Sequence, residues 1–346
     1  MKINELGRTG IKVSRLCLGT MTFGEQNTEA DGHEQMDMAV DHGVNFFDTA
    51  EAYSFPANPK TQGDSERIIG TWMKARKNRA DVVIATKISG PSGDRTHIRN
   101  GNLIYDRVQV ADAVEQSLER LQTDHIDLYQ THWPERKANY FGRLDYTHAA
   151  DQDFTPMQEQ LEALSEQVKA GKIRAIGVCN ETAWGVMKFH EIAARMNLPR
   201  AASIQNPYNL LCRQFEIGLS EVSIREDCGL LAYSPLGFGA LTGKYLNGAL
   251  PEGSRHQLFP HFMRFFKPNG IKATEAYTAL ARAHGLEASQ MALAFVNSKP
   301  FLTANIIGAT SIEQLKSNLE TEGMVLSDEV LAGIEALHVE FSHPAP

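Results

Sequence analysis

Four side chains able to move or hold a proton stand at the ends of three short apolar runs. FFDTAEAY places Asp48 at the close of one run and Tyr53 five residues later, VVIATK closes on Lys87, and IDLYQTH closes on His132. Alone, each has an ordinary reading. A strand-end aspartate often caps the next helix, a tyrosine packs half-buried, and a histidine before Trp-Pro finishes a loop. Lys87 resists that treatment, because a lysine is seldom set at the end of a buried strand without a partner. As a group, an acid, a cation, a phenol and an imidazole suit proton donation to a carbonyl oxygen while hydride reaches its carbon. A free phenol, with a pKa of about 10, is a weak acid for work near neutrality. The Lys87 ammonium is expected to lower that value, Asp48 to hold Lys87 in place and charged, and His132 to hydrogen-bond the substrate oxygen. No side chain supplies hydride, so the chemistry demands a cofactor.

A metal-dependent barrel hydrolase would use His132 and Asp48 differently, as ligands. The neighbouring strand ends carry no second histidine and no His-x-His pair, and Lys87 would repel a cation. No metal is expected.

The elements that must position these residues alternate regularly. Apolar or β-branched runs at 16–19, 44–48, 82–86, 126–130, 175–178, 202–205, 230–233 and 305–307 read as eight strands. Amphipathic stretches at 34–42, 65–77, 108–121, 157–170, 183–195, 215–226, 273–284 and 312–319 read as helices between them. Such alternation implies parallel strands joined by crossover helices. Eight units without a composition shift or linker fit a single α/β domain, a closed (β/α)₈ TIM barrel over residues 1–346. A doubly wound sheet would want Gly-x-Gly-x-x-Gly after the first strand, and GTMTFGEQ is no such turn. Long loops follow Tyr53 (SFPANPKTQGDS), Lys87 (88–105), His132 (133–155) and Tyr233 (to about Lys272), the last carrying Gly237, Gly239 and Gly243 in phosphate-loop fashion. Long loops in a compact domain are usually functional, and in a barrel these are the βα loops of the C-terminal mouth.

Bulk properties narrow the class further. With 42% apolar and 22% charged residues, the 346-residue chain can bury a large core without staples. A formal charge of −8 argues against nucleic acid and against anionic membrane surfaces as partners. Cys17, Cys179, Cys212 and Cys228 form no CxxC pair, and free thiols in a reducing compartment are expected. No run of about 18 apolar residues offers a membrane span, and the first residues hold no continuous apolar stretch of signal-peptide kind. A cytoplasmic location follows as an expectation.

Beyond these residues, longer motifs recur in a familiar order: LGTMTFGEQN, FFDTAEAY, ATKISGPS, DLYQTHWP, GKIRAIGVCNET, IQNPYNLL, LLAYSPLGFGALTGKY and IIGATSIEQLKSN. From Leu18 to Asn318 the chain resembles the aldo-keto reductases, and within that superfamily the bacterial Tas-type members. The resemblance implies an N-terminal hairpin, here residues 2–13, across the bottom of the barrel, and NADPH/NADP⁺ as cofactor. It implies reduction of aldehydes and ketones, with Asp48, Tyr53, Lys87 and His132 as catalytic tetrad and Tyr53 as the proton donor. By the same resemblance, Thr20, Met21, Asp48 and Cys179 contact the cofactor, Asn180 and Gln205 hold the nicotinamide amide, and Tyr233 stacks on its ring. Ser234, Pro235, Leu236, Gly237, Gly239, Leu241 and Thr242 would wrap the pyrophosphate. Lys244, Arg255, Gly308, Thr310, Gln314 and Asn318 would receive the adenine end and its 2′-phosphate, with a helix N-terminus at Ser311 suited to an anion.

Three departures from the family pattern stand out. Cys179 replaces the usual serine beside the amide-binding asparagine, Gln314 replaces a common arginine, and the insert after Tyr53 is longer. A second reading shares the barrel: an NADP(H)-binding regulatory module of slow turnover, like the β-subunits of potassium channels. Trp133, Tyr140, Phe141, Arg95 and Arg99 on the mouth loops would serve aromatic, sugar-like or anionic carbonyl substrates. The sequence does not name the substrate, and it leaves oligomeric partners and reaction direction open.

Overall fold

In the computed structural model, which describes residues 1–149 and 154–346, the chain begins with an antiparallel hairpin of β1 (Ile3–Glu5) and β2 (Lys12–Ser14). Eight parallel strands then close a barrel in chain order: β3 (Leu16–Gly19), β4 (Phe46–Asp48), β5 (Val83–Ile88), β6 (Ile126–Thr131), β7 (Ile173–Cys179), β8 (Ala201–Pro207), β9 (Gly229–Tyr233) and β10 (Leu302–Ile307). β10 pairs back onto β3, with Asn305 opposite Leu16. The helices are α1 (Glu29–Asp41), α2 (Asp64–Arg76), α3 (Arg107–Leu121), α4 (Met157–Lys169), α5 (Ala183–Met196), α6 (Leu219–Arg225), α7 (Arg255–Leu258), α8 (Pro268–Ala283), α9 (Ala288–Asn297), α10 (Ile312–Leu319) and α11 (Asp328–Glu340). The expected closed barrel is the observed one.

The strands run nearly all buried because both faces are covered, helices outside and side chains within. The barrel's lower interior is apolar, filled by Cys17, Phe46, Val83, Ala85, Leu128, Ala175, Ala202, Leu231 and Ala304. The hairpin closes this end, since Leu6, Ile11 and Val13 join the same cluster and Asn4 donates to the Thr303 carbonyl at 2.8 Å. Two residues further along the strands the inward positions turn polar, and there the candidate site begins.

Several boundaries differ from the expected ones for identifiable reasons. α1 starts five residues early, at Glu29, because Thr28 and Asp31 form a capping box. The expected helix at 215–226 splits, with a tight turn at Gln214–Glu216 and α6 starting after Gly218 at φ +87°. α8 starts at Pro268 rather than 273, proline sitting at the first helical position where its missing N–H costs nothing. α7, α9 and α11 have no counterpart among the expected helices. In the loop expected at 133–155, residues 150–153 lie outside the described ones.

Candidate active site

The upper barrel interior is built by register. Asp48 ends β4 opposite Ala85 of β5, Lys87 lies opposite Gln130 of β6, and Gln130 lies opposite Gly177 of β7. With a period of two along each strand, these residues share the inward face. A Cβ at Gly177 would come within 2.9 Å of Gln130 Cγ and 2.8 Å of Ser203 Oγ, so only glycine leaves space for the glutamine.

Lys87 Nζ donates to Asp48 Oδ1 at 2.6 Å and to the Thr49 carbonyl at 2.6 Å, and the lysine side chain is fully buried. Asp48 Oδ2 is satisfied from the far side of the barrel, by Gln205 Nε2 at 2.8 Å and Gln130 Nε2 at 3.3 Å. Nζ also lies over the Tyr53 ring, 5.1 Å from its centroid. The Tyr53 and His132 rings meet edge to face at 5.6 Å. The fold thus brings all four residues of the expected tetrad to one place.

Their protonation follows from burial and charge. Burial opposes the ammonium of Lys87, but Asp48, with Tyr53 and Cys179, outweighs it and raises the lysine pKa above its ordinary value. Burial and the charges of Lys87 and Arg95 push His132 well below the usual histidine range, so its imidazole is neutral at pH 7. Tyr53 corrects the sequence expectation. Its pKa is raised, not lowered, because burial penalises the phenolate more than Lys87 favours it. The phenol keeps its proton at neutral pH.

Sequence reasoning missed two supports. Gln130 ties Asp48 to Gln205, whose Nε2 also approaches Gln130 Oε1 at 3.3 Å. The only signal was a glutamine inside the apolar run of β6, two residues before His132. Glu51, fully buried between Asp48 and Tyr53 in sequence, accepts from the Ser89 backbone N–H and from Arg99 Nη1, joining the Tyr53 loop to the loop after Lys87.

The Aldo/keto reductase family profile matches residues 15–339, a span that contains all eight barrel strands and the tetrad. The chain belongs to the aldo/keto reductase family. It is 49% identical to Protein tas of Escherichia coli K12 over all 346 residues, the whole of both chains. It is 34% identical to the uncharacterized oxidoreductase YrpG of Bacillus subtilis over 335 residues, 96% of this chain and 94% of that one. Identity to the norsolorinic acid reductase of Aspergillus flavus is 28% over 348 aligned residues, 94% of this chain and 78% of that one. Aldo/keto reductases are oxidoreductases of carbonyl compounds, and they generally use a nicotinamide cofactor.

Around the tetrad, the residues expected from other aldo/keto reductases to hold a cofactor fall into two groups. One borders the tetrad directly. Thr20 N and Oγ1 both reach the Asp48 carbonyl at 3.0 Å, and the Met21 carbonyl accepts from Phe55 N–H. Asn180 adopts a left-handed backbone (φ +55°) that asparagine tolerates, donating to the His132 carbonyl at 2.9 Å and accepting from Tyr233 Oη at 2.6 Å. Asn180 Nδ2 also lies 3.2 Å from Cys179 Sγ, whose own partner is Gln205 Oε1 at 3.8 Å.

The second group lies along the loops after β9 and β10. Residues 237–242 form a tight turn in which Phe238 and Gly239 have positive φ, and a Cβ on Gly239 would press within 3.2 Å of Lys244 Cε. Leu241 is buried, and Thr242 Oγ1 donates to the Gly239 carbonyl at 2.8 Å. Ser234 and Gly237 close a turn by Gly237 N–H to the Ser234 carbonyl, spanning Pro235 and Leu236. Ser311 caps α10, Gln314 Oε1 accepts from Thr310, and Asn318 donates to the Gly308 carbonyl. Arg255 rests on apolar neighbours. Its guanidinium packs on Phe238 (4.4 Å to the ring centroid) and beside Met21 Sδ (4.0 Å), and burial lowers its pKa to about 10.

Proposed function

We propose that this chain, acting as one catalytic unit over residues 1–346, is an NADPH-dependent reductase of small aldehydes and ketones. The observation that carries the reading is the buried Lys87–Asp48 pair at 2.6 Å with its ammonium over the Tyr53 ring and His132 edge-on to that ring. NADPH, when bound, supplies hydride to the carbonyl carbon. As negative charge grows on the carbonyl oxygen, the Tyr53 Oη–H bond breaks and its proton passes to that oxygen. Lys87 then stabilises the phenolate left behind, which is how an ammonium assists an acid whose own pKa burial has raised. Neutral His132 orients the substrate oxygen, and Asp48 keeps Lys87 fixed and charged.

The residues present fit a phosphorylated dinucleotide. Among the described residues Lys244 makes no ion pair, Arg255 Nε is buried without a hydrogen-bond partner, and a Cβ at Gly308 would meet nothing within 4 Å, leaving space before α10. Asn180, Gln205 and Tyr233 would hold and stack the nicotinamide, Ser234–Lys244 the pyrophosphate, and Lys244, Arg255, Thr310, Gln314 and Asn318 the adenosine 2′-phosphate. Four buried free cysteines, together with no described helix long and apolar enough to cross a membrane, support a cytoplasmic setting. The partner is then a small carbonyl compound, with neither nucleic acid nor membrane involved. NADPH oxidation followed by absorbance against aldehydes, ketones and quinones tests the reading, and a protein that binds NADPH yet turns over none of them would be a binding module instead.

A further inference from the structure

Several buried arginines in this protein come with carboxylates. Arg99 pairs with Glu51, Arg120 with Glu66 at 2.6 Å, and Arg136 with Glu181 at 2.5 Å. Arg95, in the loop between β5 and α3, does not follow that rule. Its side chain is 15% exposed and its guanidinium lies on the Trp133 ring, 4.8 Å from the centroid. Nε and Nη1 are both shielded from solvent and have no hydrogen-bond partner among the described residues. Among the described residues the carboxylate within ion-pair reach is Asp94 at 4.0 Å, and that side chain is 77% exposed and bonded to Ser92 Oγ. Glu51, whose field also reaches Arg95, is committed to Arg99 and the Ser89 N–H. Unpartnered donors of a shielded cation are costly to leave unmade, which favours an incoming acceptor.

The position of this charge gives it a function. Arg95 stands close enough to Tyr53 and His132 for its field to act on both. Trp133, which carries it, packs tilted against His132 at 4.8 Å, meets Phe141 at 5.9 Å, and is tethered through Nε1 to the Pro91 carbonyl at 3.1 Å. A carbonyl compound whose oxygen lies between Tyr53 and His132 therefore extends past an aromatic wall with a cation on it. We propose that Arg95 binds an anionic group of the substrate, so that the preferred substrates are aldehydes or ketones bearing a carboxylate. This rests on the reductase reading above and deepens it. The carboxylate accepts charge-assisted hydrogen bonds from the free guanidinium N–H groups while Trp133 packs against the carbon skeleton.

A matched pair of substrates reads the effect: 4-formylbenzoate against its uncharged isostere 4-formylbenzamide, with 4-oxobutanoate against butanal as the aliphatic pair. In the parent, kcat/KM favours the carboxylates by about tenfold to a hundredfold, the range one charge-assisted hydrogen bond supplies. Arg95→Met brings the ratio near one, whatever common factor both substrates lose, and Arg95→Lys recovers part of it. A parent ratio near one, or a ratio unchanged in Arg95→Met, overturns the proposal. So does an NADPH affinity that falls in Arg95→Met as far as the ratio does, because Arg95 then serves the cofactor. Benzoate against benzamide, titrated by quenching of protein fluorescence on the NADP⁺-loaded protein, reads the same preference without turnover. If neither aldehyde is reduced but benzoate binds through Arg95, the reductase reading fails and the anion site stands. Equal affinities for the two ligands sink the site itself.

Discussion

Lys87 Nζ and Asp48 Oδ1 meet at 2.6 Å across adjacent strands, with both side chains withdrawn from solvent. Each strand alone would end on an isolated buried charge. Closure of the barrel turns two such charges into a pair, and Gln130 and Gln205 take up the remaining carboxylate oxygen.

Breaking that pair from one side leaves the other charge uncompensated. Lys87→Met is expected to lower unfolding free energy by about 3–5 kcal/mol, measured by urea denaturation at pH 7. Because the folded lysine pKa is raised, its contribution is complete below about 10.5 and is lost only as pH rises through the folded value. The difference between parent and variant is therefore flat in this residue from pH 6 to 9.

Tyr53→Phe keeps the ring over Lys87 and removes the transferable proton. Reduction should fall by about 10²–10⁴-fold, with NADPH affinity unchanged by fluorescence titration. The raised pKa of Tyr53 keeps the donor protonated across the neutral range. Loss of its proton therefore places no falling limb in the parent's reduction profile below about pH 10. A variant within a few-fold of the parent shows that another group is the acid.

His132 gives the stability a pH dependence of the opposite sense. The unfolded chain takes up this proton near pH 6.5, whereas the folded imidazole resists until well below that. Between those values the unfolded state binds more protons, so stability is full above about pH 6.5 and falls as pH drops, by at most about 1.4 kcal/mol per pH unit. Urea midpoints at pH 7 and 5.5 should fall less in His132→Gln than in the parent. Identical slopes would place the titration in other histidines, His190 among them.

Cofactor preference should be modest. On the proposed reading Lys244 receives the 2′-phosphate, while Gln314 offers no charge and already accepts from Thr310. Titration should show NADPH binding tens-fold tighter than NADH, Lys244→Met should erase most of that difference, and Gln314→Arg should widen it. Equal affinities in the parent rule out Lys244 as a phosphate receptor.

A strong chelator should leave reductase activity unchanged after dialysis. On the proposed mechanism Lys87 and Tyr53 would supply the electrophilic assistance that a metal would give, and no group of three or more potential ligands is gathered among the described residues. Activity lost to chelation and restored by zinc would overturn the mechanism.

The barrel was readable because its signal is repetitive: eight short apolar runs, each followed by a helix or a long loop. What escaped were elements without an amphipathic stripe or an obvious cap. α9 (ASQMALAFVN) is buried from Met291 to Asn297 and therefore apolar all round, which hides the helical period. The start of α1 was missed because its capping box closes with Asp31 rather than glutamate.

At the site, the sequence by itself determined that Asp48, Lys87 and His132 share one rim. They end successive strands, and parallel strands joined by right-handed crossovers must lie side by side with their C-termini on one face. It also determined that a buried lysine needed a partner, and Asp48 was the nearest candidate. Only the tertiary structure decided the direction of the Tyr53 shift, because burial and the Lys87 charge act oppositely and their balance depends on distances in three dimensions. The same holds for Gln130 and Gln205, separated by 75 residues yet both bonded to one oxygen of Asp48. It holds as well for Arg95, which in sequence is one of two arginines on a single loop. Folding gives Arg99 the carboxylate of Glu51 and leaves Nε and Nη1 of Arg95 without a partner among the described residues, since a charge's partners are set by what closes around it and not by its neighbours in the chain.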